Sequence, residues 1–221
     1  MTASPPLVDV APTFAPTVRA YDRARYDFVS AVAEALSVER LDRLGDQHRY
    51  DRLVRETDQA TEFHSRFYAA FPAIRPLYRR FIDEVVAPVI AEPFCFQSVP
   101  TFRVHLPSNV AVGEFHTDGD YNHPVGEINF WLPLTDAHDT NTVWIETSLG
   151  RGDCAPAPRL GPGRMLVFDA VRWRHGNVPS ETGSTRVSFD FRCIPLRHYR
   201  PASDRSVNTK KLMVIGDYFE V

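Results

Sequence analysis

The sequence predicts a mainly antiparallel β protein, a sandwich or jelly roll, with a helical layer at its N-terminal end. Apolar residues between Thr17 and Ile90 recur at three and four, the spacing of amphipathic helices. After Pro93 they alternate or run in short stretches, the spacing of strands. The loops between those stretches are rich in Gly, Pro and Asp, with no helical segment between strands, which excludes a parallel α/β sheet. Eighteen prolines in 221 residues also argue against a largely helical chain.

Taken in order, residues 1–16 read as an irregular arm. Val18, Tyr21, Arg25, Phe28, Val32 and Leu36 predict a helix from Thr17 to Leu36, capped by Thr17. A short segment, Val38–Leu44, would end at Gly45. A third helix would start at Thr57 or Asp58 and be stopped by Pro72. A fourth, Ile74–Ile90, would carry Pro76 in its first turn. Strands are then predicted at Phe94–Phe96, Ser98–Leu106, Val110–Phe115, Glu127–Leu134, Thr142–Glu146, Met165–Asp169 and Arg186–Pro195. The expected layout is one domain over 1–221: arm 1–16, helical layer 17–92, β-core 93–200 and C-terminal tail 201–221.

A net charge of −3, a pI near 6.2 and a mean hydropathy of −0.27 give no electrostatic case for nucleic acid or an anionic membrane. No window approaches eighteen consecutive apolar residues, and no basic n-region precedes an apolar run at the start. Cys95, Cys154 and Cys193 are odd in number and widely spaced, which suits free thiols in a reducing compartment. The expectation is a cytoplasmic protein whose partner is a small molecule, with a homodimer left open.

The chemistry concentrates in Glu114–His123. His116 and Asp118 stand two apart, so an extended strand would put both on one face. Alone, they read equally well as a polar pair at a strand end. His175, in Trp173-Arg174-His175-Gly176-Asn177, supplies a second imidazole that an antiparallel fold can bring alongside. Two imidazoles and a carboxylate on one face of a divalent ion, with other positions open, match the non-haem Fe(II) facial triad, making His116, Asp118 and His175 both metal ligands and the catalytic centre. Eleven residues on comes Arg186, whose planar fork suits a dicarboxylate.

Arg186 opens a strand with Ser188, Asp190 and Arg192 on its face and Val187, Phe189, Phe191 and Cys193 on the other. That polar row must line a cavity or pair internally, because unmatched buried charge costs several kcal/mol. Arg192 reads equally as a co-substrate contact or a partner of Asp190. Asn129, mid-strand among apolar residues, would contact the co-substrate or a metal ligand, or bond a neighbouring strand. Arg103 and His105 share one strand face, and Tyr121 and His123 follow the metal motif, so these four are candidate substrate contacts.

The segments Thr101–Pro107, Phe115–Asp118, Asp120–Pro124, Glu127–Thr135, Asn141-Thr142, His175–Asn177 and Thr185–Arg192 together resemble the StrG-type proteins. That family is named after a streptomycin-biosynthesis protein and belongs to the Fe(II)/2-oxoglutarate-dependent oxygenases. The resemblance covers about residues 98–200. It implies a double-stranded β-helix (a cupin-like jelly roll), iron on His116, Asp118 and His175, the distal carboxylate of 2-oxoglutarate on Arg186, and O2 as oxidant. The family's members occur among natural-product and surface-sugar gene sets, so antibiotic biosynthesis is the expected setting, with hydroxylation the expected outcome and desaturation, ring closure or epimerisation left open. The substrate expected from the mixed-sign polar residues is small and polar, such as an amino acid or an amino-sugar or aminocyclitol unit. A non-catalytic cupin-like module binding metal or sugar, and a zinc hydrolase on the same ligands, are the alternatives. One departure is Ile215-Gly216-Asp217-Tyr218-Phe219, where a Gly-Tyr-Tyr-like ending is expected.

Overall fold

In the computed structural model of the chain, residues 14–47, 51, 53–54, 60–112, 114–201, 203–206 and 210–221 are described. They form antiparallel β-sheets with a few helices against one face. The long strand β9, Arg186–Pro195, lies at the centre. Along one edge it pairs with β3 (Thr101–His105) and then β2 (Phe94–Gln97), and along the other with β4 (Ile128–Pro133). Beyond β4 come β7 (Arg164–Phe168) and the edge strand β1 (Thr17–Ala20), while the C-terminal β10 (Phe219–Glu220) adds to β2. A second sheet, in the order β6-β5-β8, is built from Cys154–Pro156, Trp144–Glu146 and His175–Gly176.

The period-two pattern of β9 sorts the molecule. Val187, Phe189, Phe191 and Cys193 enter a core shared with the helices, alongside Phe102, Phe130 and Leu132. Phe28 meets Phe189 edge-on at 5.0 Å, Phe67 stacks on Phe102 at 4.3 Å, and Phe130 stacks on Phe191 at 5.2 Å. Each such ring contributes roughly 1.5–3 kcal/mol by burial, so this aromatic layer fixes the sheet against the helices. The opposite face, with Arg186, Ser188, Asp190 and Arg192, is equally buried and carries the polar row. A smaller apolar cluster draws Trp131, Leu166 and Phe168 from the large sheet and Ile145 from the small one.

Four helices were expected along Thr17–Ile90, and the structure rearranges them. Thr17–Ala20 is a strand, paired antiparallel with β7 from Thr17↔Val167 to Ala20↔Arg164. The helix α1 starts only at Phe28 and runs to Leu36, capped by Asp27, whose side chain accepts from the Ser30 N–H at 3.1 Å. Gly45 does not end a helix but lies within α2, Leu44–Gln47, after a 3₁₀ turn at Leu41–Arg43. A Cβ there would sit 2.6 Å from Pro107 Cδ, so close approach is what demands glycine.

Pro72 does not stop a helix either. The third helix α3 runs unbroken from Glu62 to Phe81 through Pro72 and Pro76, then passes by a π-turn, Ile82–Val86, into α4, Ala87–Ile90. Both prolines are exposed, so water can satisfy the carbonyls whose N–H partners are missing. Phe63, Phe67, Phe71, Ile74, Tyr78 and Phe81 keep one face on the core throughout. The expected start at Thr57 or Asp58 lies outside the described residues.

Among the predicted strands, Val110–Phe115 is a loop apart from Gly113, which lies outside the described residues. The tail closes on the sheet: Tyr218 is buried and its carbonyl accepts from the Ser98 N–H at 2.8 Å. Cys95 and Cys193 are buried and Cys154 is half-buried, all as free thiols. Burial pushes Cys95 up to about 12, so it is no nucleophile. Among the described residues no helix is long and apolar enough to cross a membrane.

Candidate metal centre

His116 does not sit on a strand with Asp118. It forms a single antiparallel bridge with His175, in which the two residues exchange both backbone hydrogen bonds, at 2.9 and 2.8 Å. Their side chains therefore leave the same face, with ring centroids 4.6 Å apart. Asp118 follows as the first residue of a 3₁₀ turn, Asp118–Tyr121, introduced by a Thr117–Asp120 capping box. Its N–H is anchored on the Ala170 carbonyl at 2.8 Å. The turn, not strand alternation, swings the carboxylate back towards the imidazoles.

The donor atoms converge. Asp118 Oδ1 lies 3.6 Å from Nε2 of His116 and 3.6 Å from Nε2 of His175. An ion held by bonds of about 2.1 Å needs donors roughly 3–3.5 Å apart, so little movement is required. The tautomers fit as well. His116 Nδ1–H donates to the Glu114 carbonyl at 3.0 Å, and His175 Nδ1–H to the Trp173 carbonyl at 2.9 Å. Both Nε2 lone pairs are thereby left for a cation. Burial, followed by His116, pushes His175 down to about 4 and keeps its ring neutral. Burial opposes ionisation of Asp118, but Arg192 and the neighbouring imidazoles outweigh it and hold the carboxyl well below its usual range.

His116 and His175 line a cleft whose walls also include Arg103, Asn129, Trp131, Arg186, Asp190 and Arg192. Arg186, 1% exposed, donates from Nε to the Asn141 carbonyl at 3.0 Å and from Nη1 to Ser188 Oγ at 2.7 Å. Its guanidinium lies 5.6 Å from the Trp131 ring. Among the described residues no carboxylate comes within ion-pairing distance of it. Burial, then Arg103, pushes its pKa down to about 9. It is a buried cation at the wall of the cleft with only the more distant Asp190 to offset its charge, and a dicarboxylate fits that requirement.

The other candidates take different places. Asn129 reaches the cleft with its Oδ1 unpaired. Arg103 lies 3.4 Å from Asp190 Oδ1. His105 is fully buried beneath Arg186: Nε2–H donates to the Asn109 carbonyl at 2.8 Å, and Nδ1 lies 3.4 Å from Arg186 Nη2. Tyr121 sets its ring 5.0 Å from that of His116 and donates its hydroxyl to Glu114 at 2.7 Å. His123 turns from the cleft to Glu127 Oε2 at 2.8 Å. Asp118, His123 and Glu127 make a second convergent group, but Arg192, 4.0 Å from Glu127 and 2.9 Å from Asp118, already supplies its positive charge. Arg192 itself is spent on Asp118 and Asp190.

Ser188, which periodicity puts on the polar face with Arg186, steadies its guanidinium. One contributor escaped the sequence reading. The Asn141 carbonyl that steadies Arg186 leaves no trace in side-chain identity.

No family model matches the chain. The streptomycin biosynthesis protein StrG of Streptomyces griseus is 36% identical over 205 residues, covering 90% of this chain and 98% of that protein. The chain belongs to the StrG family. Solved structures similar to this StrG-family chain include AviO1 from Streptomyces viridochromogenes Tue57, with a TM-score of 0.49, 17% identity, and 86% and 93% of the two chains covered. The nickel complex of ThoJ, described as a non-heme monooxygenase, gives 0.48 at 17% identity, covering 85% and 75%. HygX from Streptomyces hygroscopicus, with nickel and 2-oxoglutarate bound, gives 0.43 at 14% identity, covering 94% of each. Scores below 0.5 decide neither fold nor function.

Proposed function

We propose that this protein is an Fe(II)/2-oxoglutarate-dependent oxygenase on a double-stranded β-helix, hydroxylating a C–H bond of a small polar metabolite in antibiotic biosynthesis. The observation that carries the reading is the pairing of two features at one cleft: a convergent two-His, one-carboxylate cluster, and a buried guanidinium that no carboxylate among the described residues ion-pairs. A zinc hydrolase or a metal-binding module would use the first and leave the second as unexplained cost. Membership of the StrG family supports the biosynthetic setting.

In this reading Nε2 of His116 and His175 and Oδ1 of Asp118 hold the metal, while Arg186 takes the far carboxylate of the oxo acid. Iron with that oxo acid supplies the dioxygen chemistry that side chains lack. The chain's own part is placement. Ser188 and the Asn141 carbonyl keep Arg186 in one orientation, and Trp131 shields its charge from water. Asn129, beside the cleft, would donate its side-chain amide N–H to the co-substrate. Tyr121 and Glu114, joined beside His116, form the rim that a polar substrate would meet.

The test is anaerobic titration of the Fe(II)-loaded protein with 2-oxoglutarate. A visible charge-transfer band that is lost in His175→Ala and weakened in Arg186→Ala is expected. No band in folded, iron-loaded protein would overturn the assignment.

A further inference from the structure

The two oxygens of Asp118 have different partners. Oδ1 faces the imidazoles, 3.6 Å from each Nε2, whereas Oδ2 accepts from Nε of Arg192 at 2.9 Å and lies 2.9 Å from its Nη2. The remaining nitrogen of the guanidinium, Nη1, donates to Asp190 Oδ2 at 2.9 Å and lies 3.3 Å from Thr101 Oγ1 and 3.4 Å from Gln97 Oε1. Asp190 is held in turn by Arg103 at 3.4 Å. Arg192, Asp190 and Arg103 are all more than nine-tenths buried. Every nitrogen of Arg192 therefore has a partner inside the protein, and, unlike those of Arg186, those partners include two carboxylates.

We propose that Arg192 is a positioning residue for the metal ligand Asp118, pinning Oδ2 so that only Oδ1 reaches the ion, and is not an anchor for the co-substrate. The inference rests on the reading of His116, Asp118 and His175 as metal ligands. A carboxylate with both oxygens free can close on an ion through both, taking a coordination position that a chelating oxo acid needs. The guanidinium held against Oδ2 prevents this and also fixes the plane of the carboxylate. It draws charge from the ligand, which leaves a bound ion a stronger Lewis acid. A lysine keeps the charge but offers a point donor instead of a planar fork, so it restores only part of the constraint.

The experiment compares wild type, Arg192→Lys and Arg192→Met in Co(II) binding, first without 2-oxoglutarate and then with it, following the visible Co(II) spectrum. Without 2-oxoglutarate, Arg192→Met is expected to bind Co(II) about 10–100-fold more weakly, the range for outer partners that orient a ligand, because losing the fixed carboxylate plane costs more than a second oxygen on the ion gains, and to show an altered spectrum. Arg192→Lys should fall between the two. If Arg192→Met does not fold by circular dichroism, Arg192→Lys decides alone. Co(II) affinity and spectrum unchanged in the variants, with only 2-oxoglutarate binding weakened, would make Arg192 a co-substrate anchor and overturn the proposal. Wild type that binds no Co(II) would instead remove the metal-site reading itself.

Discussion

Gly176 leaves room for the Phe115 ring beside the His116–His175 bridge: a Cβ on Gly176 would lie 2.7 Å from Phe115 Cγ and 3.0 Å from Phe115 Cα. One of those atoms is backbone, adjacent to His116, so relief means moving the ligand-bearing segment. Gly176→Ala is expected to cost about 1–3 kcal/mol, the usual range for overpacking, and to separate the two imidazoles. Thermal melts with and without a divalent metal check this. The metal-induced rise in Tm should shrink along with the basal Tm, and an unchanged rise would show that the bridge does not set ligand spacing.

Arg186 makes an opposite prediction for stability and for binding. Its buried charge has no carboxylate partner among the described residues, so the ligand-free protein bears its desolvation cost. Arg186→Met should leave the ligand-free protein as stable as wild type, or more stable by about 1–3 kcal/mol, as when buried charge yields to apolar volume. The same variant should lose the Tm increase that 2-oxoglutarate gives wild type. Denaturant melts at several 2-oxoglutarate concentrations read both effects. Marked destabilisation without ligand would mean that the hydrogen bonds to Asn141 and Ser188 outweigh the charge.

Much of this site was legible in the sequence because β9 alternates cleanly over eight of its ten residues, all of them buried. One face had to be core and the other a polar cavity. The ligands were legible from residue type and order, but their geometry was not. His116 and His175 meet in a bridge and a two-residue strand, too short for any periodicity. Thr17–Ala20 was misread as helix because four exposed residues carry no helical or strand pattern of their own, and β7 alone makes them a strand. Alternation placed Arg192 beside Asp190, yet nothing local could reveal Asp118, 74 residues away, as its other partner.

The path of α3 through two prolines tests how far an aromatic face can override local preference. Each proline removes one backbone hydrogen bond and costs up to about 3 kcal/mol against alanine in a helix interior. Both lie on the solvent side, opposite Phe71, Ile74 and Tyr78. Pro76→Ala should therefore raise Tm without altering metal or 2-oxoglutarate affinity. A fall in Tm would show that the proline bend is needed to seat the helix on the sheet.

Three buried histidines set the acid limit. From an ordinary 6.5, burial first, then His116, pushes His175 down to about 4; burial first, then Arg186, takes His105 to about 3; burial first, then Arg103, takes His64 to about 3. Each ring is neutral when folded and protonates more readily when unfolded. Their contribution is thus fully present above about pH 6.5 and is lost as pH falls towards 3, because the unfolded chain binds more protons in that window. His64→Asn, which retains an acceptor near Thr61, removes one such group that is not in the cleft lining. Whatever it does to stability at neutral pH, the slope of unfolding free energy between pH 6 and 4 should become shallower by up to about 1.4 kcal/mol per pH unit, one proton's worth. Urea melts across that range measure the slope, and an unchanged slope would mean that His64 protonates in the folded state as readily as in the unfolded chain.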